Sequence, residues 1–219
     1  MDTQSLVNIN GNSTPTLEIL LMMTVIALLP SMIVMMTSFT RTIIILSFLR
    51  NAIGIQQTPP NMVLVGIALF LTLFIMKPVI DDININAYQP YIAEQMTQKD
   101  ALNYAQIPLK KFMLENTEKS SVNLFVELSK EEKVEKMEDL PLTVVIPSFM
   151  TSELKRAFMA GFLLYLPFLI IDIVVSSTLM SMGMMMLPPA MISLPFKLLL
   201  FVTVDGWQLL FATIVGSFR

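Results

Sequence analysis

Two long stretches of this chain carry almost no charge, and that constrains its fold more than anything else in the sequence. Between Asp81 and Arg156 lie thirteen acids and nine bases; the remaining 143 residues hold only Asp2, Glu18, Asp172, Asp205, Arg41, Arg50, Lys77, Lys197 and Arg219. With 54% hydrophobic and 14% charged residues overall, against roughly 25% charged in a soluble domain, the surplus apolar surface must be buried against lipid or other subunits. The sequence therefore predicts an all-α integral membrane protein: two kinked helical hairpins separated by a small polar helical insert. A net charge of −3 leaves no basic footprint for nucleic acid. The absence of Cys and His removes the usual zinc ligands and every nucleophilic triad with an imidazole base.

The chain divides into four parts. Residues 1–16 are a polar tail without the basic n-region of a secretory signal peptide. Residues 17–80 form the first apolar hairpin. Leu17–Phe39 is long enough to span and carries Pro30, which should kink or break it. Thr42–Leu49 follows, then a turn with Gly54 and Pro59-Pro60, then the return segment Met62–Met76. Residues 81–152 are the insert, read as short helices with Pro90 and Pro108 as first-turn residues. Val122, Phe125, Val126 and Leu128 make an amphipathic face that runs into the Lys130–Lys136 charge run. Its plain reading is a small soluble subdomain. Residues 153–219 form the second hairpin: an apolar run with Pro167, a turn ending in Pro188-Pro189, and a final segment Ala190–Phe218. The two Pro-Pro turns fit either a diverged duplication or two independent proline turns. Arg41 and Arg50 flank the first turn and the tail has no base, which puts that turn in the cytoplasm and the N-terminus and insert outside.

Ionised groups in apolar segments are expensive unless paired, so each one is a candidate site. Asp172 and Lys197 lie equally far from the centre of the second turn and are expected to pair, as a structural pin or as a proton-coupling site. Lys197 cannot use Asp205, which stands eight residues on, ~12 Å along the same helix. Arg41, Lys77 and Asp205 are expected to be buried. Arg41 and Lys77 sit at matching depth in the first hairpin but repel. Arg41 must therefore reach a lipid phosphate, Glu18 or Asp205. In the second turn Met184, Met185 and Met186 are consecutive, with Met182 alongside. Three such side chains cannot share one helix face. They are either packing or a soft apolar constriction, which would close against water by dewetting.

Three stretches resemble the FliP family of type III export-gate proteins. They are MSMGMMMLPPAMISLPFKLLLFVTVDGW (Met180–Trp207), the preceding Ile146–Ser177, and Thr37–Val79. Together they cover about half the chain, while the insert and tail match poorly. Virulence-type secretion homologues are similar in architecture, but Leu187-Pro188-Pro189 and Ser38–Arg41 look more flagellar. The resemblance implies a pentameric ring assembling with FliQ and FliR beside FlhB and FlhA. That assembly would be a closed helical cone for unfolded flagellar proteins in the cytoplasmic membrane of the basal body, with much of it above the lipid. It further implies that Met184, Met185 and Met186 belong to a methionine gasket, and that Asp172 and Lys197 match internal charged positions. No metal, cofactor or catalytic grouping is implied, and no P-loop is present. A small-solute or ion transporter using Asp172 is the competing class.

Overall fold

The computed structural model describes residues 8–9, 12–13, 15–55, 57–129, 137–184 and 186–218. Apart from a two-residue antiparallel ladder, Asn8–Ile9 against Asn12–Ser13, every described element is helical, as the charge pattern requires. Three helices are long and apolar enough to cross a membrane, and a bent pair makes a fourth candidate.

Helix α1 (Pro15–Met36) holds Pro30 in its interior without ending there. The break falls instead at Thr37-Ser38, and α2 (Phe39–Ile53) follows. Helix α3 (Asn61–Ile83) runs on through a π-helical turn, Asn84–Tyr88, into α4 (Gln89–Ile92). The outline drawn at residue 80 therefore lies inside a continuous helix. Pro90 does stand in the first turn of α4, but Pro108 lies inside α5 (Gln98–Glu115). A helix interior tolerates proline where surrounding packing offsets the lost hydrogen bond. Helix α6 (Lys119–Ser129) precedes a 3₁₀ turn at Met137–Asp139; the Lys130–Lys136 charge run lies outside the described residues.

Helix α7 (Leu142–Ser181) has 40 residues, a length of ~60 Å, and crosses the boundary drawn at 152 without interruption. After the second turn come α8 (Pro189–Thr203) and α9 (Gly206–Gly216). The final segment is thus two helices. Asp205 takes a left-handed conformation (φ 50°) between them, and the axes bend by 63°. The bend lets Gly206 approach Phe201, where an added Cβ would come within 2.3 Å of the ring.

The core lies where α2 meets α7. On α7 the positions Val145, Phe149, Glu153 and Ala157, four residues apart, are all fully buried, and Gly161 continues the row. Gly161 presses on Phe48 of α2, so a Cβ there would stand 2.5 Å from the ring. Leu46 and Leu49 face the row from α2. Each fully buried Leu or Phe here is worth about 1.5–3 kcal/mol. The insert shares this core and is not a separate soluble subdomain. Phe112 of α5 packs on Phe149 (ring centroids 6.0 Å apart) and on Phe218, while Met113 and Val122 are buried in the same cluster. Leu128, by contrast, points outward.

Candidate functional site

The two hairpin turns are built alike. Helix α2 ends with Gly54 at φ 91°, its N–H donating to Asn51 C=O (3.1 Å) and that of Ile55 to Arg50 C=O (3.3 Å). Helix α7 ends with Gly183 at φ 75°. The Gly183 N–H donates to Met180 C=O (3.1 Å) and the Met184 N–H to Leu179 C=O (3.0 Å). Both are Schellman ends, which need a left-handed residue and so favour glycine. In each turn the proline pair begins five residues after the glycine: Gly54 to Pro59-Pro60, Gly183 to Pro188-Pro189. Pro60 and Pro188 then stand at the caps of α3 and α8. The shared Gly-x4-Pro-Pro spacing is readable in the sequence, beyond the matching proline pairs. Arg50 reinforces the first turn by donating to the Asn61 side chain.

A partly buried polar cluster ties the second hairpin to the end of the first. Lys197 Nζ lies 2.6 Å from Asp172 Oδ2 and donates to Ala52 C=O at 3.2 Å. The Ser193 hydroxyl donates to Asp172 Oδ1 at 2.6 Å. Lys197 is 5% exposed and Ser193 fully buried. The ammonium thus answers a carboxylate on α7 and an orphan carbonyl in the last turn of α2, where the helix dipole is negative. Both Asp172 oxygens are occupied.

Lys197 stands eight residues into α8, roughly 12 Å along its axis. The methionine turn therefore lies about that far along α8 beyond the Lys197–Ala52 contact, and Gly54 stands beside Leu194 and Lys197. Among the described residues the turn is largely uncovered. Met186 is 99% exposed, Met182 68% and Met184 45%. Met185 lies outside the described residues.

Arg41 is buried, but with a partner the sequence reading did not name. Its Nε donates to Glu153 Oε2 at 2.8 Å, and Nη2 forms the second arm of a bidentate pair with Oε1. Nη1 donates to Ser217 C=O (3.1 Å) and Oγ (2.9 Å), and the Phe218 ring lies 3.7 Å from the guanidinium carbon. This fixes the C-terminal end of α9 against α2 and α7. Glu153 is one of the thirteen acids between Asp81 and Arg156; the signal that marks it as internal is its place in the four-residue row from Val145 to Ala157. Lys77 and Asp205 are exposed in this chain, contrary to expectation, because they fall on outer helix and bend positions. Asp205 is consumed by the bend rather than by a cation. At the insert, Lys155 Nζ lies 2.6 Å from Glu118 Oε2, and Ser152 Oγ accepts the Glu118 N–H at 3.0 Å.

Internal ion pairs that pin long apolar helices, with much apolar surface left outside, define an all-α membrane protein. Comparison with known proteins gives the particular family. The FliP family model matches residues 22–214. The chain is 48% identical over 217 residues to flagellar biosynthetic protein FliP of Bacillus subtilis (strain 168), covering 97% of this chain and 98% of that protein. It is 49% identical to the protein of the same name from Caulobacter vibrioides (99% and 83% covered), and 47% identical to that of Aquifex aeolicus (95% and 88%). The chain belongs to the FliP family.

Proposed function

We propose that this chain is a pore-forming subunit of the flagellar type III protein export gate. Copies of it form a pentameric ring, which assembles with FliQ and FliR into the gate, with FlhB and FlhA beside it. Unfolded flagellar proteins pass along its axis across the bacterial cytoplasmic membrane, with the N-terminus and insert on the outer side. The methionine turns of the copies meet at the axis and close it. It works as a conduit and not as an enzyme.

The observation that carries this reading is the exposed methionine turn. A helix end locked by Gly183 and Pro188 presents Met186 and Met182 largely uncovered by the described residues, with Met184 about half exposed beside them. An apolar ring excludes water and ions when narrow, and thioether side chains re-pack around whatever passes. The relatives' designation as flagellar biosynthetic proteins supports the flagellar over the virulence-type reading. A transporter that cycles a proton on Asp172 is less well supported, since both carboxylate oxygens are already engaged by Lys197 and Ser193.

The test is a leak measurement. Met184, Met185 and Met186 together changed to Ala should raise the resting permeability of cells to small solutes while the complex still assembles. An assembled complex with no added leak contradicts the constriction.

A further inference from the structure

Between α7 and the bent α8–α9 pair runs a groove of about 780 Å³, walled by Met159, Leu163, Phe168, Leu200 and Leu209. One end differs, for Arg41, Arg156 and Ser217 stand there. Arg41 is fully engaged by Glu153, Ser217 and Phe218. Arg156 is half-buried and makes no ion pair among the described residues; Glu153, three residues before it, has both oxygens on Arg41.

The position of Arg156 along α7 matters as much as its charge. It immediately precedes Ala157–Ile171, fifteen residues without a charged side chain, on a helix able to cross the membrane. From Arg156 to Phe168 the groove follows twelve residues, ~18 Å. That is about half the ~30 Å hydrocarbon core, the depth of one leaflet. We propose that this groove holds an anionic phospholipid, with its phosphate on the Arg156 guanidinium and an acyl chain lying along α7 toward Phe168. Guanidinium pairs with phosphate through parallel hydrogen bonds, and its charge favours an acidic headgroup over a zwitterionic one. A spanning helix from another chain fits less well. It needs ~20 residues of open run, whereas the groove meets the Arg41–Glu153 pair at one end and the Val204–Gly206 bend at the other. This concerns the flank of the molecule and stands apart from the constriction at the methionine turn.

The assembled complex, purified from membranes and stripped of lipid, is titrated with phosphatidylglycerol and with phosphatidylcholine. The native complex should prefer phosphatidylglycerol about five-fold, the contribution of one basic group near a membrane surface. Arg156→Gln should lose that preference and Arg156→Lys keep most of it. Ala160→Phe, which fills the groove with Arg156 intact, should lower the binding of both lipids; if that variant fails to assemble, the comparison of Gln with Lys at 156 still decides. An undiminished preference in Arg156→Gln overturns the proposal. So does displacement of phosphatidylglycerol by millimolar inorganic phosphate, which marks a bare anion site. A map of the complex with a neighbouring subunit's side chains filling the groove overturns it too.

Discussion

At the scale of single residues, three ion pairs settle where the helices sit. The Arg41–Glu153 pair is almost wholly dry, so removing one partner strands the other. Glu153→Ala should cost about 3–5 kcal/mol, while Arg41→Met with Glu153→Leu should recover most of that; thermal unfolding of the purified complex measures both. Exchanging Asp172 and Lys197 should restore only part of what either single reversal loses. A carboxylate at 197 would face the Ala52 carbonyl, to which Lys197 now donates, so the exchanged pair keeps its attraction and loses a bond. Co-purification of assembled complex reads this out, and full recovery contradicts the role given to Ala52. Glu118 belongs to the insert. Its hydrogen bond from Lys155 holds the carboxyl below the ordinary glutamate range. A depressed value stabilises the folded state above the free-carboxyl range, roughly pH 4.3, and that support is lost as pH falls through the lowered value. The protection of α6 amides, taken against their intrinsic exchange rate at each pH, should therefore fall on acidification below the free-carboxyl range, and Glu118→Gln should lower it at neutral pH as well.

At the scale of elements, register decided what the sequence could tell. Asp172 and Lys197 were legible because a hairpin sets depth by counting from its turn, and the methionines because no helix face takes three neighbours in a row. Glu153 was not legible by charge. It stands next to Lys155 and Arg156, and only the four-residue spacing from Val145 to Gly161 separates it from the solvated charges around it. Pro108 lies inside a helix where a first turn was expected, whereas Pro90 does open one, and Thr37-Ser38 and Asp205 mark helix ends without any proline. The α2–α7 contact is close only because residue 161 lacks a side chain. Gly161→Val should drive a methyl into the Phe48 ring and cost about 1–3 kcal/mol. Phe48→Ala in the same chain should relieve the clash, a coupling that a double-mutant cycle on complex stability detects.

At the scale of the whole molecule, the chain is a half-finished surface. Its buried core is the α2–α7 seam with the insert folded onto it, while α1 and the outer faces of α3 and α7 expose apolar side chains along most of their length. Composition alone assigns that surface to lipid. The exposed methionine turn, the occupied Asp172 and the family membership favour a shell whose neighbours cover much of it, with the methionines left facing an axis. The most direct test is a side-chain-resolution map of the assembled complex in its resting state. The account predicts that Met184 and Met186 of successive copies meet in a closed ring around a central axis. Methionine turns directed away from that axis, toward lipid or the outer solvent, would contradict it.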